Sequence, residues 1–380
     1  MKTSKLFYAG IAGLALFEVL KVYFIMPMPG SQEMNSIDLA YLLHDWQWVF
    51  RGVFIFLIGL GAVPAFQARK WWMITTVLIA AMITWAFNFR MKADKMFYQP
   101  TEVIMKEASQ NQVPGERLVL GIHLNGASRA YPIQFIAYHH QVLDTVSGQP
   151  IMVTYCSVCR TGRIFEPRVN GQLESFRLVG MDHFNAMFED ERTKTWWRQV
   201  SGEAIAGPLK GSRLPELLSE QTTLNQWVDL HPETLIMQPD SAFTEEYESL
   251  EDYDFGIERG KLTRTDTLSW KRKSWVVGVE LDDSSYAVDW NELKEKRIIN
   301  FQLANQHAFV VLASDTLSFF AYKNPGKEPF IIQNDTLIIN QLRYDLLGRP
   351  IEGDQASLQK IKAYQEFWHS WQTFHPDTKK

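Results

Sequence analysis

Gly121-Ile122-His123-Leu124, followed by Ala130-Tyr131-Pro132, reads like Gly278-Val279-Glu280-Leu281, followed by Tyr286-Ala287-Val288. Each stretch closes far downstream on a matching phrase. Trp227 precedes His231-Pro232-Glu233-Thr234 after the first, and Trp371 precedes His375-Pro376-Asp377-Thr378 after the second. An order repeated in this way predicts two related units. Both cysteines fall in the first, in Tyr155-Cys156-Ser157-Val158-Cys159, where the second reads Ala308-Phe309-Val310-Val311-Leu312-Ala313. Chemistry is therefore expected in the first copy alone, with apolar side chains around Val311 and Leu312 filling the matching place in the second.

Around the repeat the pattern is strand and turn. Leu118 to Ile122 is apolar and β-prone, Asn125-Gly126 is a strong hairpin turn, and Ser128 to Ile133 returns. Ser147-Gly148 and Asn170-Gly171 separate further strand pairs, and Asp282-Asp283 and Asn334-Asp335 stand at turns in the second copy. Helical periodicity is expected at Leu214 to Ser219, Leu224 to Leu230 and Leu358 to Phe374. The expected fold is three N-terminal transmembrane α-helices followed by a mainly-β soluble domain of two related units. The boundaries read as 1–95 for the membrane part, 96–240 for the first β-rich unit, 241–277 for a linker and 278–380 for the second unit. The linker changes from acidic (Glu245, Glu246, Glu248, Glu251, Asp252, Asp254) to basic (Arg259, Lys261, Arg264, Lys271, Arg272, Lys273), and such a run reads as a solvated connection.

Three apolar runs, Leu6 to Met26, Trp48 to Phe66 and Trp71 to Phe89, are long enough to cross a bilayer. Trp46, Trp48, Trp71, Trp72 and Trp85 lie near their ends, as interfacial aromatics do. The first run follows Lys2 and Lys5, as a signal peptide would, but no small-x-small cleavage site follows it. Lys2, Lys5, Arg69 and Lys70 fall on one side, whereas Pro27 to Asp45 carries no Lys or Arg. The N-terminus is thus expected in the cytoplasm, with the C-terminal domain outside the inner membrane, in the periplasm; Arg90, Lys92 and Lys95 run against this. Glu18 and Lys21 inside the first run read as an i,i+3 pair, with Lys21 snorkelling to an interface. The net charge of −5 gives no nucleic-acid surface. The partners expected are the lipid bilayer and other membrane or periplasmic proteins.

Ala130-Tyr131-Pro132, Val153-Thr154-Tyr155-Cys156 with Cys159, Asp190 to Thr193 followed by Trp197, Gly202 to Gly207, Gly211, Trp227 and His231-Pro232 occur in an order that resembles a prokaryotic family catalogued as Domain of Unknown Function 3179. The resemblance covers about residues 118–378 and implies no activity. Family members typically carry Pro after the first Cys and Gly after the second; this chain has Ser157 and Arg160.

A Cys-x-x-Cys pair supports three chemistries. A thiol–disulfide redox pair would use Cys156 to attack and Cys159 to resolve, with Arg160 and Arg163 supplying positive charge. A metal site would join both sulfurs to His139, His140 or His183, with His123 a further option, and would suit zinc or copper. A structural disulfide closes only a small loop. Asp182, His183, Asn185, Asp190, Trp196 and Trp197 form a polar and aromatic cluster after the Cys hairpin. Read as a pocket beside the sulfurs, it makes Asp190 a catalytic candidate and Asn185, Trp197 and Arg160 binding candidates. Read structurally, its tryptophans are core and its polar groups are turn caps. Tyr155 should face away from Cys156. The functional expectation is an inner-membrane-anchored extracytoplasmic protein with a Cys-x-x-Cys redox or metal centre. The alternative is a non-enzymatic scaffold with a structural disulfide. No nucleotide fingerprint, Ser–His–Asp order or H-E-x-x-H run is present.

Overall fold

Predominantly apolar runs from Ser4 to Tyr23, interrupted by Glu18 and Lys21, and again from Gln47, favour long helices, which satisfy every backbone hydrogen bond within one segment. In the computed structural model, which describes residues 3–303 and 305–380, two helices, rather than the three expected, are long and apolar enough to cross a membrane: Ser4–Tyr23 and Gln47–Arg90. The second is broken at Arg69, where φ is −156°. A straight helix of 44 residues would run about 66 Å, yet Arg51 and Asn88 near its two ends share a 2.9 Å hydrogen bond. The chain therefore doubles back at Arg69. Trp48 and Trp71 are each 74% exposed, and Phe56, Val63 and Leu78 also point outward. Helix contact is close where Gly61 meets Phe7: a Cβ at Gly61 would lie 2.3 Å from the Phe7 nitrogen.

The chain divides into two compact units, Met1–Tyr98 with Glu174–Arg213, and Gln99–Leu173 with Leu214–Lys380. Residues 174–213, read above as part of the first β-rich unit, thus cluster with the N-terminal helices. In that first unit they form the strands Phe176–Asp182, Asn185–Asp190, Trp196–Arg198 and Ala204–Ala206, paired in sequence order. The segment between the apolar helices packs on this sheet. The Met181 amide donates to the Ile25 carbonyl (2.7 Å), the Phe184 amide to Gln32 Oε1 (3.1 Å), and Tyr41 stacks edge-on against Trp196. The Glu18–Lys21 pair exists (2.9 Å), but Lys21 is 2% exposed and does not snorkel. Glu18 also accepts from Arg51 (2.7 Å) and Asn88 (2.8 Å), so the pair belongs to a network across the helices.

The second unit is mainly β. A five-stranded sheet runs Met105–Glu107, Leu235–Met237, Ala127–Pro132, Leu118–Leu124, Glu220–Thr223, and a three-stranded one runs Ser284–Asp289, Trp275–Leu281, Lys362–Phe367. Strands Gln141–Val146, Gln149–Cys156 and Thr161–Phe165 form one meander, and Ile298–Leu303, Gln306–Leu312 and Phe319–Asn324 another. The turn residues behave as their chemistry demands, with left-handed backbones at Asn125-Gly126, Ser147-Gly148, Asn170-Gly171, Asp282 and Asn334-Asp335. Helix Leu224–Leu230 forms as expected. Leu214 to Ser219 does not; strand Glu216–Leu217 lies there, and the expected helix from Leu358 is instead strand Lys362–Phe367 followed by helix Trp368–Phe374. Helices Ile133–His139 and Trp290–Lys296 were not expected.

Two close approaches organise this unit. A Cβ on Gly121 would lie 2.3 Å from the Trp227 ring, and one on Gly278 2.2 Å from the Trp371 ring. Each indole nitrogen donates to a threonine, Trp227 to Thr234 (2.8 Å) and Trp371 to Thr378 (2.9 Å). Gly121 pairs with Ala130 and Gly278 with Ala287. In that register Val288 stands where Tyr131 does, and Tyr286 is two residues away on the same strand face. Tyr131 is buried and Tyr286 only partly so.

Candidate functional site

Cys156 ends one strand and Thr161, its partner across the hairpin, begins the next, so Cys159 and Arg160 lie in a tight turn. Both cysteines are free thiols with no exposed surface. Arg160 takes the left-handed conformation, φ +59°. That is a position glycine occupies without cost, which accounts for the glycine usual there in the family that the sequence resembles. Arg160 compensates by donating to the Tyr253 carbonyl (2.7 Å) and the Asp254 carbonyl (2.5 Å), with its guanidinium 4.0 Å from the centre of the Trp275 ring. Tyr253 in turn donates to the Ser157 carbonyl (2.8 Å). Residues Tyr253 and Asp254, inside the stretch expected to be solvated, are completely buried and clamp the turn.

The other side of the turn meets the last strand and helix. The Phe367 amide donates to the Cys159 carbonyl (2.8 Å). Arg163, fully buried, pairs with Glu366 (3.2 Å) and lies over the Tyr364 ring. Burial pushes the Cys159 thiol well up, and the neighbouring Cys156 and Glu366 push it further; a facing Ser370 hydroxyl opposes this weakly. Burial likewise raises the Glu366 carboxyl against the pull of Arg163. Arg163 Nε has no hydrogen-bond partner among the described residues, and the Ser370 hydroxyl faces both Cys159 and Glu366. Sequence reasoning missed Glu366, Ser370 and Tyr253. The available signal was the second His-Pro phrase, whose preceding helix carries Ser370.

The other candidates have partners of their own. His139 Nε2 shares a 2.6 Å hydrogen bond with the Tyr247 hydroxyl. His140 Nδ1 donates to the Tyr155 carbonyl (2.8 Å), and burial lowers its pKa to about 4. His183, Asn185, Asp190 and Trp197 belong to the other unit. There Asp190 accepts from the Thr193 amide and hydroxyl (both 2.6 Å) and from the Trp197 indole (2.9 Å), the work of a turn cap. Asn185 bonds Gln199 (3.0 Å) and the Val200 amide (3.0 Å). No group of three or more His, Cys, Asp or Glu side chains that could hold a metal occurs among the described residues. Two thiolates alone leave a tetrahedral zinc two ligands short. Tyr155 is buried with its hydroxyl 3.4 Å from that of Tyr253, and Val311 and Leu312 are completely buried.

Residues 98–378 match the family described as "Protein of unknown function (DUF3179)". No curated protein and no solved structure matches the chain significantly. The match spans well over half of the sequence, and the chain belongs to this family.

Proposed function

We propose that this DUF3179 protein is an inner-membrane-anchored, extracytoplasmic scaffold in which Cys156 and Cys159 form a buried structural pair rather than a thiol-exchange centre. One observation carries the reading: neither cysteine has any exposed surface. The attacking species in exchange is an accessible thiolate at a lowered pKa, and burial drives Cys159 the opposite way. Closing the pair to a disulfide would release two protons and pass two electrons to an extracytoplasmic thiol oxidant. The exchange reading keeps one supporting feature, the polar Glu366 carboxyl and Ser370 hydroxyl beside Cys159.

The membrane reading takes Gln47–Arg90 as two spans meeting at Arg69, three in all with Ser4–Tyr23. It is supported by the Arg51–Asn88 bond and by the lipid-like exposure of Trp48 and Trp71. The segment from Ile25 to Tyr41 and the sheet of 174–213 share one face of the bundle, as an odd number of spans requires. The absence of Lys and Arg between Pro27 and Asp45 puts that face outside.

The two-copy reading rests on matched particulars. Beyond the two Gly–Trp contacts, His231 stacks on Trp227 (4.2 Å) and His375 on Trp371 (3.8 Å). Helices Ile133–His139 and Trp290–Lys296 both end on a left-handed residue, His140 and Arg297. The carbonyls of those residues accept from Tyr155 and Leu312 respectively.

The test is alkylation of the folded protein in detergent micelles with a mass-tagging maleimide, with and without prior reduction. Both cysteines should label only after denaturation, and any disulfide should have a potential below about −300 mV. Rapid native labelling of Cys156 at neutral pH would overturn the scaffold reading in favour of exchange.

A further inference from the structure

The first unit holds an open cleft of about 400 Å³. Its wall carries three basic side chains, His183, Arg198 and Lys210, and three acidic ones, Asp182, Glu203 and Asp38. Asp182 is 2% exposed. It bonds His183 Nδ1 at 2.6 Å and accepts from Arg198 Nε (2.9 Å) and Nη2 (2.6 Å). The imidazole is thereby held with Nε2 as the nitrogen left for the cleft. The bond to Asp182 also raises the pKa of His183, favouring the donor form.

The backbone at this point is the second observation. His183 and Phe184 are the two central residues of the hairpin that pairs Asp182 with Asn185. Both are left-handed, φ +50° and +70°. Such a turn favours Asn-Gly, and the chain supplies Asn125-Gly126, Ser147-Gly148, Asn170-Gly171 and Asn334-Asp335, all small or turn-favouring residues, at other turns of this kind. Here it holds a histidine and a phenylalanine instead, latched by the bond from the Phe184 amide to Gln32. Strain maintained at a cleft points to function.

We propose that this cleft binds an organic phosphate, its anion gripped by His183, Arg198 and Lys210 and its carbon portion lying against Ile37 and Ile205. Arg198 is oriented in advance by Asp182, and a guanidinium so held suits a phosphate oxygen pair. The competing carboxylates give way easily: Asp38 is 79% exposed and Glu203 35%. Ile37 and Ile205 line the same cleft and offer the apolar contact. The site lies outside the thiol pair and does not depend on the scaffold reading.

The phosphate can come from a soluble ester or from a lipid headgroup, and the experiment separates them. The full chain in a maltoside detergent is titrated with glycerol 3-phosphate by calorimetry, and reconstituted beside phosphatidylglycerol or phosphatidylcholine in nanodiscs. Glycerol 3-phosphate should bind, and His183→Asn and Lys210→Gln should each weaken it at least tenfold. His183→Asn relaxes the turn, so its thermal midpoint should rise while binding falls, which a merely structural histidine would not show. If the ligand is lipid-borne, phosphatidylglycerol alone should raise the midpoint of the wild type, and glycerol 3-phosphate should then add less to it than it adds beside phosphatidylcholine, because the two compete for one site. Binding of equal strength in wild type and both variants, or no response to either phosphate source, overturns the proposal.

Discussion

Gly121→Ala and Gly278→Ala form a matched pair of perturbations. A methyl at Gly121 would sit 2.3–2.5 Å from three atoms of the Trp227 ring, and one at Gly278 2.2–2.4 Å from the Trp371 ring. Carbon atoms at rest lie about 3.5–4.0 Å apart, so each ring must retreat by more than about 1 Å. Neither can do so freely. Both tryptophans are 0% exposed, and each indole nitrogen is tied to a threonine. Overpacking of this kind costs about 1–3 kcal/mol, and a broken indole–threonine bond adds about 1 kcal/mol. For a unit of this size the loss lowers the thermal midpoint by roughly 3–9 °C. The assay is tryptophan fluorescence of the full chain in detergent during heating at one fixed scan rate. Gly52→Ala serves as control, because nothing lies within 4 Å of its added methyl. An alanine at either position that costs under about 0.5 kcal/mol shows that the ring is not pinned as described. A loss at Gly121 alone would count against the proposal of two related copies.

Asp254 gives a pH signature: burial raises its pKa to about 6, outweighing Arg160 and Arg117. Its contribution is fully present below about pH 4 and is lost as pH rises through 6, a swing of about 3 kcal/mol; urea midpoints should show a flatter profile in Asp254→Asn, and an unchanged difference between variant and wild type refutes the assignment. His140 has the opposite sign, since burial lowers it to about 4. Its roughly 3 kcal/mol is complete above about pH 6.5 and lost on acidification toward 4, so His140→Asn should blunt the acid limb of the same curve. Glu18→Gln leaves Lys21 and Arg51 without their carboxylate and should cost about 3–5 kcal/mol, read as a lower midpoint in detergent, with partial recovery in Glu18→Gln/Lys21→Met. Alkaline phosphatase fused at Lys380 should be active and an exported green fluorescent protein fusion dark; the reverse pattern removes the extracytoplasmic placement.

What the sequence disclosed was local. Asn125-Gly126 and Asn170-Gly171 announce their turns because left-handed backbone chemistry is a property of those two residues alone. Helix Leu224–Leu230 shows its Thr223 cap in the same way. Helix Ile133–His139 did not show, because all seven residues are buried, Gln134 and His139 among them, and no exposed polar face alternates with an apolar one. Tyr253 and Asp254 were hidden in a charged run, where the expectation of solvent contact is ordinarily sound. The position of the cysteine pair was legible, but not its burial, which depends on Glu366 and Phe367 some two hundred residues away. That residues 174–213, His183 among them, cluster with the N-terminal helices was not legible, since it rests on contacts such as Met181 with Ile25.

That allegiance also sets an order of assembly. Strand Leu118–Leu124 has one edge neighbour, Glu220–Thr223, that emerges about a hundred residues after it, and between the two the chain must deliver residues 174–213 to the other unit. During synthesis the open edge of Leu118–Leu124 therefore waits while a separate sheet is completed against the N-terminal segments. An unpaired edge invites wrong partners, and pairings so distant in sequence form slowly. The nascent chain thus passes through a vulnerable interval that ends only when Glu220–Thr223 arrives, and chaperones and proteases would act on it there.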